Sequence, residues 1–136
     1  MLKTELIHPQ IQAALALCGH GSKILIADGN YPLNEKTGRA NKVYLGLTRG
    51  VPTVTQVLEA VLSAVNVEKA EVMVPSEGPE PEIFEEFRQL LDGMELFGLE
   101  RYDFYKTCME ENSIVLAIST GEQRVFANIL LTIGCA

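Results

Sequence analysis

The stretch Gly19-His-Gly-Ser-Lys-Ile-Leu-Ile-Ala-Asp28 indicates how this chain folds. Its middle, Lys23 to Ala27, is a short run of mostly branched apolar residues, and glycines bound it on both sides. Such a run is typical of a strand buried on both faces of a parallel sheet. His20 precedes the strand, and Asp28 falls at its carboxyl end, the edge where open α/β sheets usually bind ligands. The stretch therefore predicts a buried strand with polar chemistry at its ends.

Helices and strands are predicted to alternate on both sides of this strand. The apolar spacing of Ile11, Ala14, Leu15 and Cys18 predicts a first helix. Thr53 and Gln56 resemble a capping box in front of an apolar stripe that runs to Val65. The remaining pattern predicts strands at 42–47, 70–74, 114–119 and 127–133, helices near 83–91 and 102–110, and no definite element at 94–99. Residues 1–136 are thus expected to form one α/β domain, a sandwich whose central, mostly parallel sheet is flanked by helices.

The composition is that of a globular protein and narrows the classes of partner. Hydrophobic residues make up 47% of the 136 residues, and the net charge is -7 with scattered Lys and Arg, so no basic surface for nucleic acid is expected. The chain has neither a secretory signal pattern nor an apolar run long enough to span a membrane, and we expect a cytoplasmic protein. Its three cysteines are far apart, which favours reduced, mostly buried thiols and no metal site.

His20, Asp28 and Asn30 form the first candidate site. Histidine can give and take a proton near neutral pH. A carboxylate can orient it or bind a hydroxyl, and an amide can both donate and accept hydrogen bonds. In the alternative interpretation His20 caps the preceding helix and Asp28 satisfies only turn amides, and the local sequence leaves both open.

A second group of polar residues lies near the carboxyl half of the chain. Arg101 and Tyr105, beside Glu100 and Asp103, offer a guanidinium fork and a phenol that suit sugar hydroxyls, although a solvated ion cluster at a helix start has the same pattern. Thr120-Gly-Glu122 and Ala127-Asn128 are equally consistent with a hairpin turn and a strand start. Asn128 differs because an amide at the head of an apolar run needs a partner once it is buried.

Taken in order, these segments resemble the ribose pyranase and fucose mutarotase family (RbsD/FucU). The resemblance extends over essentially the whole chain. Thr48-Arg-Gly-Val-Pro52 is similar to the ribose branch, and Asp28-Gly-Asn-Tyr-Pro32 and Glu100-Arg-Tyr-Asp-Phe-Tyr105 are similar to the fucose branch. The other matching segments are Gly19-His-Gly21, Val57-Leu58, Thr120-Gly-Glu122 and Ala127-Asn-Ile-Leu130.

The resemblance implies a cofactor-free enzyme that interconverts anomers or ring forms of a free monosaccharide such as fucose or ribose. It also implies a ring-shaped homo-oligomer, often a decamer, with sites near subunit contacts and no need for a metal. His20 matches the family's catalytic histidine, Asp28 its site carboxylate and Asn128 the asparagine of its terminal Tyr-x-Asn motif. Arg101 and Tyr105 match positions of the fucose branch, and Asn30 and Phe126 complete the expected sugar-binding set.

Three polar positions depart from the family pattern. Phe126 stands where the family has a tyrosine, Tyr44 stands where a second carboxylate is expected, and Ser22 replaces the acid after Gly-His-Gly. These changes predict an altered substrate or a slower enzyme. The alternative is a monosaccharide-binding sensor or transport accessory protein without turnover, and a third possibility is a purely structural oligomer.

Overall fold

A mixed six-stranded sheet in the order β2-β5-β1-β6-β3-β4 organises the chain. The computed structural model describes residues 1–110 and 114–136. β1 pairs in parallel with β5, which pairs in parallel with β2, and β3 pairs in parallel with β4. β6 is antiparallel to both of its neighbours, β1 and β3. The elements are α1 (Pro9–Ala16), β1 (Lys23–Ala27), β2 (Asn41–Tyr44), α2 (Val54–Leu62), β3 (Val67–Val74), α3 (Ile83–Leu90), β4 (Leu96–Glu100), α4 (Arg101–Met109), β5 (Ile114–Ser119) and β6 (Ile129–Ile133).

Strand β1 is buried on both faces, as its sequence predicts. Ile24 and Ile26 pack into one hydrophobic cluster, which also contains the buried residues of α1, α2 and α3. Leu25 and Ala27 pack into a second cluster on the opposite face, beneath α4 and residues 31–40. The predicted sandwich, a mostly parallel sheet flanked by helices, is confirmed.

Local sequence signals account for several element boundaries. The capping box is present, because Thr53 Oγ1 accepts from the Gln56 N–H at 3.2 Å and Gln56 Oε1 accepts from the Thr53 N–H at 2.9 Å. His8 caps α1, its Nδ1 accepting from the Ile11 N–H at 3.3 Å. The segment 94–99, left without an element by the sequence, contains most of β4. Since α4 starts at Arg101, directly after β4, that arginine lies at the carboxyl end of a strand.

The hairpin interpretation of residues 120–122 is wrong. β1 lies between β5 and β6 in the sheet, so the segment between those two strands crosses over a strand instead of making a tight turn. Thr120 and Glu122 are both buried in this crossing.

Candidate active site

A cavity of about 240 Å³ lies at one edge of the sheet. The carboxyl ends of β1, β3 and β4 meet at this edge, since the three strands run in the same direction. β6 runs the opposite way, so its amino-terminal end reaches the same edge. The cavity is smaller than the roughly 300–1,000 Å³ of pockets for drug-sized ligands. It is lined by Asp28, Asn30, Tyr31, Met73, Arg101, Tyr105, Val125, Phe126 and Asn128.

Asp28 is the buried carboxylate of this cavity and is only 2% exposed. Its Oδ1 accepts from the Asn30 N–H at 2.8 Å, and its Oδ2 accepts from the Ala127 N–H at 3.1 Å. Burial raises the pKa of Asp28 above its ordinary value, and these hydrogen bonds offset only part of that effect. Asp28 therefore both satisfies turn amides and faces the cavity, so the two interpretations of its sequence context are not exclusive.

Asn128, the residue before β6, holds Asp28 by a hydrogen bond. Its Oδ1 accepts from the backbone N–H of Asp28 at 2.8 Å, and the residue is 3% exposed. The partner that a buried amide requires is thus Asp28 itself. Phe126, two residues earlier, has a backbone φ of 58°, in the left-handed region that non-glycine residues seldom adopt. Such strain is common where the backbone must aim a side chain at a site.

Three polar groups of the cavity have no partner within residues 1–110 and 114–136. The Arg101 guanidinium makes neither an ion pair nor a hydrogen bond there, and lies 5.4 Å from the centre of the Phe126 ring. The Tyr105 hydroxyl and the Asn30 side-chain amide likewise make no hydrogen bond in the described part of the chain. Together they offer donors and acceptors to a polyhydroxylated ligand.

Tyr31 lines the same cavity but its hydroxyl is already engaged. It donates to the backbone carbonyl of Lys36 at 3.0 Å, and burial raises the pKa of Tyr31. Tyr44 is 61% exposed on β2 and lies outside the cavity, so Tyr105 is the cavity phenol without a partner in the described residues.

An ion pair between the buried Glu122 and the partly exposed Arg124 supports the segment that delivers Phe126 and Asn128. Glu122 Oε1 accepts from Arg124 Nε at 3.0 Å, Glu122 Oε2 accepts from Arg124 Nη2 at 3.1 Å, and Arg124 also contacts Glu86 of α3. Burial opposes ionisation of Glu122, but the hydrogen bonds from Arg124 outweigh it and the pKa of Glu122 is lowered. The acidic residue in Thr120-Gly-Glu122 was the sequence signal that could have indicated this ion pair.

His20 lies at the opposite edge of the sheet. It precedes β1 and Asp28 follows it, and the five residues of that strand span about 17 Å. Its Nε2 is 2.8 Å from Oε2 of Glu68, and the imidazole is 59% exposed. It does not cap α1, since the cap residue is Leu17. Within one chain, Asp28 therefore does not orient His20, contrary to the proximity that the sequence suggested.

His20 lies in a turn that is held by its own residues and by the carboxyl end of β6. Ser22 Oγ accepts from the Gly19 N–H at 3.0 Å, and the Gly21 N–H donates to the Ile133 carbonyl at 2.8 Å. Gly21 has a φ of 87°, which favours glycine. A cavity of about 540 Å³ opens beside the imidazole, between the end of α2 and the last residues of the chain.

The three cysteines differ in burial. Cys108 is a buried residue of α4 and burial raises its pKa to about 12, whereas Cys18 is half-buried and Cys135 is exposed, so the expected burial holds for only part of the set. Across 1–110 and 114–136, no three His, Cys, Asp or Glu side chains are arranged to hold a metal ion. No helix in these ranges has the length and apolarity to cross a membrane.

Comparison with known proteins places this geometry in context. The family model of the RbsD / FucU transport protein family matches residues 1–136. A D-ribose pyranase of Clostridium novyi (strain NT) is 31% identical over 134 residues, which are 98% of this chain and 98% of that protein. The structure of Bacillus subtilis RbsD complexed with D-ribose superposes with a TM-score of 0.86 at 24% identity, covering 100% of this chain and 99% of that one. The fucose mutarotase of Streptococcus pneumoniae in complex with L-fucose gives 0.83 at 25% identity, with 100% and 99% covered.

Proposed function

Because the chain belongs to the RbsD/FucU family, we propose that it is a cofactor-independent sugar mutarotase, an isomerase that interconverts anomers or ring forms of a free aldose. The observation that carries the proposal is the cavity at the carboxyl ends of β1, β3 and β4. Six residues selected from the sequence line it, and three of them offer polar groups without a partner in the described residues. These residues are Asp28, Asn30, Arg101, Tyr105, Phe126 and Asn128.

The reaction needs little beyond positioned proton donors and acceptors. Ring opening removes the proton from the anomeric hydroxyl, delivers a proton to the ring oxygen and breaks the bond between that oxygen and the anomeric carbon. Reclosure on the other face of the carbonyl reverses these transfers and gives the other anomer. Positioned acid and base groups contribute about 10²–10⁴ in rate. The raised pKa of Asp28 favours a carboxyl that exchanges protons with a bound hydroxyl.

We further propose that His20 is the catalytic acid and base, and that it acts in a neighbouring copy. The two ends of β1 are too far apart for His20 to reach the cavity of its own chain. Its imidazole contacts Glu68 but is 59% exposed, so another surface can approach it. A ring of identical subunits, a decamer or similar, would bring the partner subunit's His20 to each cavity. Polar groups of the cavity then bind the sugar, and Phe126 packs against it. These polar groups belong to Asp28, Asn128, Asn30, Arg101 and Tyr105.

Saturation-transfer NMR on L-fucose and D-ribose tests this proposal. The native protein is expected to accelerate exchange between anomers, and His20→Ala is expected to lower the rate by about 10²–10⁴. His8→Ala is the matched control, because His8 caps α1 and does not line the cavity. Equal exchange rates for native protein and His20→Ala, over a panel of aldoses, would remove His20 from the mechanism.

A monosaccharide-binding sensor or accessory protein is the second candidate, and Phe126 favours it. A phenylalanine in the cavity provides no phenolic hydrogen bond for proton transfer. This candidate predicts sugar binding in a calorimeter with no acceleration of anomer exchange. A purely structural oligomer predicts neither.

A further inference from the structure

Arg101 lines the cavity without a carboxylate partner in the described residues. The chain carries 18 acidic and 11 basic residues, and the ion pairs of the described residues engage Lys23, Lys69, Arg88 and Arg124. Arg88 and Arg124 each contact two glutamates. Arg101 contacts none within the described residues, although it lines the cavity. Its charge is therefore available to a ligand.

The guanidinium is held without use of its hydrogen-bond donors. It lies 5.4 Å from the centre of the Phe126 ring, a distance typical of a cation–π contact. Such a contact favours a position of the guanidinium beside the ring and uses none of its five N–H donors. A planar fork of this kind matches a carboxylate, which it can bind through two parallel hydrogen bonds.

A second cation adds to the positive potential on this side. Lys36 is partly buried, its Nζ lies 5.8 Å from the centre of the Tyr105 ring, and it has no ion pair in the described residues. Asp28 is the cavity's own carboxylate, and backbone N–H groups already hold both of its oxygens. The carboxylate of Asp28 is thus already hydrogen-bonded within the chain, whereas the guanidinium of Arg101 has no such partner in the described residues.

We propose that the preferred substrate is an aldose that carries a carboxylate, a hexuronic acid, with its carboxylate on Arg101 and its hydroxyls toward Asp28 and Asn128. This inference rests on the proposed mutarotase function. A hexuronic acid keeps the anomeric hydroxyl and ring oxygen that mutarotation requires. The cavity of about 240 Å³ and the planar fork favour a carboxylate over a bulkier phosphate ester.

The test compares charged and neutral sugars on matched variants. Anomer exchange is measured by NMR for D-galacturonate, D-glucuronate, D-glucose 6-phosphate, L-fucose and D-ribose. The native protein is expected to give its highest kcat/KM with a hexuronate. Arg101→Gln should lower kcat/KM for that hexuronate by about 10- to 150-fold, the usual effect of hydrogen bonds to a charged group, and for neutral sugars by less than about tenfold. Arg39→Gln, which removes an exposed arginine outside the cavity, should leave all five values unchanged.

Arg101→Lys separates charge from geometry. It keeps the cation and loses the fork, so it is expected to recover only part of the hexuronate activity. An unfolding midpoint equal to that of the native protein shows for each variant that folding is intact.

The outcomes distinguish this inference from the proposed function. Two outcomes overturn the inference and leave the mutarotase function standing. In the first, the protein accelerates anomer exchange of neutral aldoses and shows no preference for a hexuronate. In the second, Arg101→Gln lowers kcat/KM equally for hexuronates and neutral sugars. A preference for D-glucose 6-phosphate overturns the choice of a carboxylate. No acceleration with any sugar overturns the proposed function. In that case calorimetry decides the inference: tighter binding of a hexuronate than of L-fucose, lost in Arg101→Gln, supports it, and equal binding refutes it.

Discussion

Replacing Glu122 by glutamine tests whether its ion pair with Arg124 stabilises the segment that carries Phe126 and Asn128. Glu122 is 4% exposed and accepts four hydrogen bonds, three from Arg124 and one from the Val54 N–H at the start of α2. Glutamine preserves the shape but replaces one acceptor oxygen with an NH₂ group. That group would face N–H donors, and the negative charge opposite Arg124 is lost.

The size of the effect follows from these contacts. Hydrogen bonds to a charged group contribute about 1.5–3 kcal/mol, and breaking a fully buried pair costs about 3–5 kcal/mol. The lower range applies here, because Arg124 is 40% exposed and keeps its contact with Glu86. We therefore expect Glu122→Gln to lower the free energy of unfolding by about 1.5–3 kcal/mol at pH 7. At about 4 °C for each kcal/mol, the midpoint falls by about 6–12 °C.

The pH dependence makes the prediction specific to charge. The pKa of Glu122 is lower in the folded chain than in the unfolded chain. Its ionised form therefore stabilises the fold fully above the unfolded value of about 4.3, and this contribution is lost as the pH falls through the folded value. The difference between native protein and Glu122→Gln should be constant from about pH 7 to 5.5 and shrink at lower pH.

Urea unfolding at fixed protein concentration measures this difference, since assembly makes apparent stability depend on concentration. Glu77→Gln is the matched control: Glu77 is exposed and has no ion pair in the described residues. A Glu122→Gln protein within about 0.5 kcal/mol of the native one at pH 7, or an equal deficit at pH 7 and pH 4, would refute the reasoning.

Two further predictions concern the cavity and the crossing segment. Phe126→Tyr should raise the rate of anomer exchange by about tenfold or more, since it returns a phenol to the cavity; an unchanged NMR exchange rate would show that the missing phenol does not limit turnover. Gly121→Ala should destabilise by more than about 2 kcal/mol, because a Cβ there would lie 2.5 Å from the carbonyl oxygens of Thr48 and Val51, whereas Gly19→Ala, with nothing within 4 Å of its Cβ, should stay within about 0.5 kcal/mol in urea unfolding.

The helices and strands with a clear pattern of apolar residues were predictable, because that pattern reflects which side chains are buried. β1 begins and ends at the predicted residues because a continuous apolar run between glycines can be satisfied only between two packed layers. The capped stripe at Thr53 similarly determined α2. β4 was not predictable, since Phe97 and Gly98 are exposed and the strand is an edge strand with little apolar pattern.

The composition of the cavity was predictable, but its separation from His20 was not. Asp28 and Asn128 are one hundred positions apart, and their contact depends on the pairing of β1 with β6. Local sequence does not indicate that β6 pairs with β1, or in which direction, when the two strands are so far apart in the chain. The ion pair of Glu122 with Arg124 was hidden for the same reason, because only the crossing between β5 and β6 buries the glutamate.

The direction of β6 links the two candidate functions. Since β6 is antiparallel to β1, Asn128, the residue just before β6, lies beside Asp28, and the carboxyl-terminal end of β6 lies beside Gly21 in the turn that carries His20. One chain thus holds the proposed sugar-binding groups at one edge and the proposed acid and base at the other. If the partner subunit's His20 completes the site, an isolated chain binds sugar without turnover and only the assembled ring catalyses. Binding without exchange would then be a property of the dissociated subunit, and exchange rates at protein concentrations above and below dissociation would separate a true sensor from an unassembled enzyme.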